Sequence, residues 1–369
     1  MKLNKLYAGL AMGAVVLSTV AGCSLLVPAD RPVLSPEEQL GKSLFFDSRL
    51  SEPQGVACSG CHAPQTGFAD PRGTAFSQGV NPAKFTDRNS PTITYSAFVP
   101  KLSYVREEDL VYGGLFWDGR ALSLSHQLEG PMFSSVEMGI ESKSQLYERL
   151  KELGYLDKFR QFYGEQALAN SKVAFNQLSH LITSYERSQE LNSFSSKYDY
   201  YLAGKSQFTE QEKRGLALFE REDKGNCAAC HPNKPAEEGG RALFTDFTYD
   251  NLGVPPHPEK PNLADKGLGE IIYSANTRGK FRVPTLRNIA LTGPYMHNGV
   301  FASLEEVVSF YNTRDVDSKW RAPEISENVN KKELGNLKLS AQDEADIVAF
   351  LKTLTDGYDY RQEWEVRLH

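Results

Sequence analysis

Two stretches of the chain repeat one polar–apolar design. Ser35 is followed by Pro36, Glu37 and Glu38, and the run continues through Gln39 to Phe46 with apolar residues on one helical face. Serine with glutamate three residues on is a capping box, and proline at the first helical position has no N–H to leave unsatisfied. Thr209 and Glu212 repeat the signal ahead of Lys213 to Phe219. Both runs contain G-x-x-L-F, at Gly41–Phe45 and Gly215–Phe219. Helical periodicity also predicts elements at about 143–153, 170–190, 303–311 and 340–355. The last begins at Ser340 with Asp343 and carries Ile347, Val348, Phe350, Leu351 and Leu354 on one face. Few segments alternate with the period of two that marks a strand. The expectation is a mostly α fold with long loops, built from one unit used twice. Its two domains span 36–200 and 205–369, with a boundary near 195–208.

Composition sharpens this picture at the ends and in the charge. A length of 369 residues suits two domains. The formal net charge is −6, and it becomes −8 without residues 1–22, which hold two lysines and no acid. An acidic chain lacks the basic face that nucleic acid requires. Lys2 and Lys5 precede an apolar run from Leu6 to Val20, short for a bilayer span, which ends in Val20, Ala21, Gly22 and Cys23. Small residues before a cysteine resemble a bacterial lipoprotein box, so residues 1–22 read as a signal peptide and Cys23 as the lipid-bearing residue. The alternative is an ordinary secretory signal, and both mean export. Residues 23–35 form a proline-containing tether. The expected location is the periplasmic side of a bacterial membrane, and Ser24 after the lipidated cysteine hints at the outer one.

The other four cysteines carry the chemistry. Cys58 and Cys61 are followed by His62, and Cys227 and Cys230 by His231. No cysteine is left over for a disulfide framework. Zinc is another use of two C-x-x-C pairs, but these stand too far apart for the usual ribbon spacing. A thioredoxin-like pair does not account for a histidine next to each. C-x-x-C-H is the attachment signature of c-type haem. Thiols three residues apart reach the two vinyl groups of a porphyrin, and the next residue sets its imidazole beneath the iron. Two covalent haems follow, with His62 and His231 as proximal ligands. Their sixth ligands decide between electron transfer and peroxide binding. Nothing near His62 obviously closes the first haem, since neither a histidine nor a methionine occurs before His126. The second site offers Met296, His297 and Tyr311.

Six further strings complete a resemblance. They are Gly41–Asp47 (GKSLFFD), Arg88–Thr92 (RNSPT), Phe116–Ala121 (FWDGRA), Ser135–Met138 (SVEM), Val283–Ile289 (VPTLRNI) and Leu291–His297 (LTGPYMH). In this order and spacing the mature chain resembles the bacterial diheme cytochrome c peroxidase family, MauG included. The resemblance implies two cytochrome c-like domains with haems facing a shared interface, and reaction with hydrogen peroxide. Family members that need reductive activation close the N-terminal haem with a histidine 16 residues after the proximal one. That position here is Gln78, a poor ligand for ferric iron, which implies an open first haem. His126 is the alternative closing ligand.

The resemblance also implies roles for single residues. Fourteen residues after His297 stands Tyr311, where MauG-type enzymes place a tyrosine ligand and activating peroxidases a methionine. Leu304, Val307, Val308 and Tyr311 also share one helical face, so Tyr311 reads equally as core. Met296 is the other candidate ligand. Glu137 matches the distal proton shuttle and Gln127 the amide that orients peroxide. Their plain alternatives are a solvated carboxylate and a surface amide. Trp117 matches the tryptophan between the haems and reads also as a core aromatic. Asn89, Thr292 and Pro294 match the residues around an inter-haem calcium ion, although no dense carboxylate cluster supports calcium independently. Gly225 stands where MauG has the tryptophan that passes holes to its protein substrate, and Trp320 and Trp364 lie far along the chain. Three functions compete: a MauG-like enzyme oxidising a partner protein or small molecule, a peroxidase fed by a small cytochrome or cupredoxin, and a diheme electron carrier. A homodimer is compatible with each.

Overall fold

The protein is described here by a computed structural model, which describes residues 33–235 and 240–361. The signal peptide, Cys23 and Trp364 lie outside the described residues. Leu34–His369 forms one compact unit. Eleven α-helices occur among the described residues. They are α1 (Pro36–Phe45), α2 (Leu124–Gln127), α3 (Glu129–Phe133), α4 (Lys143–Glu152), α5 (Tyr155–Tyr163), α6 (Ser171–Glu186), α7 (Lys197–Leu202), α8 (Glu210–Glu220), α9 (Gly269–Ile272), α10 (Leu304–Thr313) and α11 (Ala341–Lys352). Strand is confined to two antiparallel pairs, β1 (Ser103–Val105) with β2 (Leu110–Tyr112), and β3 (Tyr249–Asp250) with β4 (Phe281–Arg282). No described helix is long and apolar enough to cross a membrane.

The helix starts follow the caps in the sequence. Ser35 with Glu38, Thr209 with Glu212 and Ser340 with Asp343 form complete capping boxes at α1, α8 and α11. Sequence pattern missed α5, which has no side-chain cap and starts from Gly154 in the left-handed region at φ 72°. It also missed α7, whose Ser196–Asp199 capping box uses aspartate rather than glutamate.

Each half is a helix crossing built around one glycine. A Cβ on Gly41 of α1 would stand 1.9 Å from the Leu181 carbonyl oxygen of α6. On Gly215 of α8 it would stand 1.9 Å from the Asp346 carbonyl oxygen of α11. Only glycine lets the backbones approach this closely. Four residues on in every helix, an aromatic pair closes the crossing. Phe45 meets Tyr185 at 5.4 Å and Phe219 meets Phe350 at 5.1 Å, both edge-on at 62°. The first core runs from Leu40 to Leu191. The second starts at Tyr198, which packs with Phe208, Phe244 and Phe350.

The halves are tied by loops. Asn89 N–H donates to the His297 carbonyl at 2.8 Å, and Arg282 N–H donates to the Trp117 carbonyl at 2.8 Å. Arg88 binds both Asp118 of its own half and Asp265 of the other.

Candidate active site

Both cysteine pairs sit on the same local structure. Cys58–Gly60 and Cys227–Ala229 form single 3₁₀ turns, and His62 and His231 each donate a backbone N–H at 2.9 Å to the first cysteine's carbonyl. All four thiols are unpaired.

At the first site, His62 Nδ1–H donates to the Phe68 carbonyl at 3.1 Å. That fixes the tautomer and leaves the Nε2 lone pair for a metal. Burial pushes the imidazole pKa down. Burial, and to a small extent the Glu137 charge, push the Cys58 and Cys61 thiols up. Burial raises the Glu137 carboxyl pKa, while the Arg120 cation works against the rise. Arg120 lies 3.7 Å from the centre of the Phe116 ring and binds Asp118 at 2.7 Å. The loop carrying Gln78 is pressed onto this carboxylate's backbone. Val80 N–H donates to the Glu137 carbonyl at 2.8 Å, and a Cβ on Gly79 would stand 2.3 Å from the same oxygen. The Gln78 amide donates to the Pro82 carbonyl at 2.7 Å. Gln127 is half-buried at the end of α2. His126 is exposed, and its Nδ1 accepts the Leu122 N–H at 3.2 Å.

At the second site, His231 Nδ1–H donates to the Phe244 carbonyl at 2.8 Å. Burial pushes its imidazole down to about 4, so the ring is neutral with Nε2 free. A mostly apolar cavity is lined by Cys227, Cys230, His231, Met296, Tyr311 and Trp117. Burial, then the two cysteines and Asp250, push the Tyr311 phenol well above its usual pKa. Tyr311 thus shares one cavity with His231 and the cysteine pair. His297 lines the same cavity but is committed elsewhere. Its Nε2 bonds the Glu324 carboxylate at 3.0 Å, with both side chains 5% exposed, and its ring stacks on Phe281 at 3.6 Å.

Gly225 admits no tryptophan in this backbone. A Cβ there would stand 2.4 Å from the Leu218 carbonyl oxygen and 3.3 Å from Ile347 Cδ1.

Asn89, Thr292 and Pro294 all line the second cavity. Trp117 Nε1–H donates to the Asn89 carbonyl at 2.9 Å, which fixes the indole at the wall of that cavity. Among the described residues no group of three or more His, Cys, Asp or Glu side chains is arranged to hold a metal ion. The haem chemistry fits: each site has two thiols on one turn and an imidazole with Nε2 free, and the second has an apolar cavity to receive a ring.

A family model described as di-haem cytochrome c peroxidase matches residues 35–207. The methylamine utilization protein MauG of Paracoccus denitrificans is 34% identical over 373 residues, spanning 92% of this chain and 95% of the relative. The chain belongs to the di-haem cytochrome c peroxidase/MauG family. Cytochrome c551 peroxidase of Pseudomonas aeruginosa is 33% identical over 81% of this chain and 78% of its own. The diheme peroxidase BthA from Burkholderia thailandensis superposes with a TM-score of 0.77 at 35% identity, covering 89% of this chain and 87% of that one. The protein is therefore a peroxidase-type oxidoreductase of a diheme family.

Within this diheme peroxidase, sequence reasoning overlooked several residues at the sites. Arg120 lies inside a matched string, yet only the fold sets its charge toward Glu137. Glu324 carries no motif at all and is found only through its bond to His297. Gly79 could have been suspected from its place next to Gln78, but the carbonyls it accommodates come from a segment more than fifty residues away.

Proposed function

We propose that this enzyme reacts with peroxide at an open N-terminal haem and shares the oxidising equivalents with a His231/Tyr311-ligated C-terminal haem to oxidise a partner. The observation that carries this reading is Tyr311, whose phenol shares the second cavity with His231 and stands beside Cys227 and Cys230. A phenolate is hard and anionic, so it favours ferric and more oxidised iron, whereas methionine raises the potential and favours the reduced state. When bound, the haems supply the iron at which peroxide is reduced and the store for what it leaves behind.

The chain's own residues would do the rest. Cys58 and Cys61 would hold the first haem covalently with His62 as an iron ligand, and Cys227 and Cys230 would hold the second with His231. Glu137 takes a proton from peroxide and returns it to the leaving oxygen. Its carboxylate has no ion-pair partner among the described residues, so it is free to move that proton. Gln127 orients the peroxide from α2. Gln78 leaves the iron open because its amide is spent on Pro82. Trp117 stands between the halves as the relay. Asn89 Oδ1 with the Thr292 and Pro294 carbonyls would hold a calcium ion, since oxygen donors suit a hard cation. Cys23 anchors the enzyme by lipid to the periplasmic side of the membrane.

The crowded backbone at Gly225 speaks against the hole route that MauG takes to its protein substrate. Met296 lines the same cavity as Tyr311. That favours one second reading, a peroxidase with a His/Met second haem drawing electrons from a small cytochrome or cupredoxin. Low-temperature EPR of the fully ferric protein, before any reductant, tests the proposal. One high-spin and one low-spin signal are expected. Two low-spin signals would mean both haems are closed and would overturn it.

A further inference from the structure

Four arginines with side chains largely withdrawn from water each hold a carboxylate. Arg88 binds Asp118 and Asp265, Arg149 binds Glu52, Arg287 binds Asp199 and Arg314 binds Asp315. Arg282 differs. It lines the second cavity and is desolvated strongly enough that its pKa falls, yet no carboxylate pairs with it among the described residues. Arg282 is half-buried, and a desolvated cation without a counter-charge is costly to a fold.

Its stem is held firmly. Arg282 lies on β4 opposite Tyr249. Its backbone N–H donates to the Trp117 carbonyl at 2.8 Å, and its Nε points at the Phe116 carbonyl at 3.4 Å. The two terminal nitrogens are left for a partner that the polypeptide does not supply. Four acids line the same cavity: Asp265 is spent on Arg88 and Glu324 on His297, Asp250 accepts from the Asn330 amide, and neither Asp250 nor Glu333 forms an ion pair with Arg282. The missing partner must be an anion that enters the cavity, and a planar fork of N–H donors matches a carboxylate.

We infer that Arg282 pairs with a propionate carboxylate of the C-terminal haem, and so ties that haem's charge to the Phe116–Trp117 loop of the N-terminal half. The inference rests on the reading of two haems. Arg282 is a positioning residue, since it touches neither the iron nor peroxide. A fixed cation beside the porphyrin stabilises the reduced, more negative form and keeps the propionate ionised.

The test is potentiometry of the purified diheme protein followed by optical spectroscopy, after haem stoichiometry has been counted. In Arg282→Gln the C-terminal haem potential should fall while that of the N-terminal haem stays put. The C-terminal potential should also gain a pH dependence between about pH 5 and 8, where a propionate without its cation titrates. Two haems with an unchanged C-terminal potential and pH profile would overturn the inference and leave the diheme reading standing. Fewer than two haems in the unmutated protein would overturn the diheme reading itself. If Arg282→Gln does not mature, Arg282→Lys serves. An ammonium keeps the charge but lacks the planar fork that pairs side-on with a carboxylate, so its C-terminal potential should also lie below that of the unmutated protein. An equal potential would refute the pairing.

Discussion

Replacing Glu137 with glutamine removes the proposed proton shuttle and little else. The carboxylate holds no cation in an ion pair, so the substitution orphans no buried charge. Arg120 keeps its bond to Asp118. The amide has the same shape, and the backbone contacts of Glu137 to Val80 persist. The expected cost to stability is therefore no more than about 1 kcal/mol, at the low end for single substitutions. The expected loss in rate is much larger. A positioned general acid–base contributes roughly 10²–10⁴-fold, or about 2.7–5.4 kcal/mol at 1.36 kcal/mol per tenfold. Stopped-flow mixing of the ferric protein with peroxide, at varied peroxide and pH, reads the second-order rate constant directly.

The pH dependence supplies a sharper check. Peroxide must lose its proton to the carboxylate, so the rate falls as pH drops through the Glu137 pKa. Burial raises that pKa, so the falling limb lies above the ordinary carboxylate range. Arg120 opposes the rise, so Arg120→Gln should move the limb to higher pH. Glu137→Gln should abolish the limb along with the rate. A loss smaller than about tenfold, well below the range for a positioned acid–base group, or a limb that survives in Glu137→Gln, would refute the role.

Two further outcomes are expected. Tyr311→Met should raise the C-terminal haem potential, measured by spectroelectrochemistry, and stabilise its ferrous form in air, because thioether replaces a hard anion. Gly215→Ala puts a methyl 1.9 Å from the Asp346 carbonyl oxygen and must force α8 from α11. Thermal denaturation should show a loss of about 1–3 kcal/mol, the usual cost of overpacking, even though alanine is the better helix former.

Much of the site was legible in the chain because its chemistry is local. A C-x-x-C-H string dictates one turn and one imidazole, and both turns and both Nδ1 hydrogen bonds appear as the spacing demands. Helix starts were legible for the same reason: a cap acts over three residues. The G-x-x-L-F repeat announced that one unit is used twice, but not why its glycine is required. That lies in the Leu181 and Asp346 carbonyls, which are more than a hundred residues away in sequence. α5 was missed because its start depends on Gly154 adopting a positive φ, a backbone event without a side-chain signature.

Composition, spacing and motif order by themselves determined a mostly helical, acidic, twice-repeated chain with two C-x-x-C-H turns. Each of those properties is set by neighbours along the chain. Only the tertiary structure decided which distant groups face one another. It set Tyr311 and Met296 in the cavity of His231, turned His297 away to Glu324, and pressed the Gln78 loop onto Glu137. It also left Arg282 without a carboxylate in a wall where Asp265 and Glu324 are held by Arg88 and His297. Those outcomes depend on how long loops close over the two helix crossings. Burial, not spacing, then decides which charge is matched and which awaits a partner.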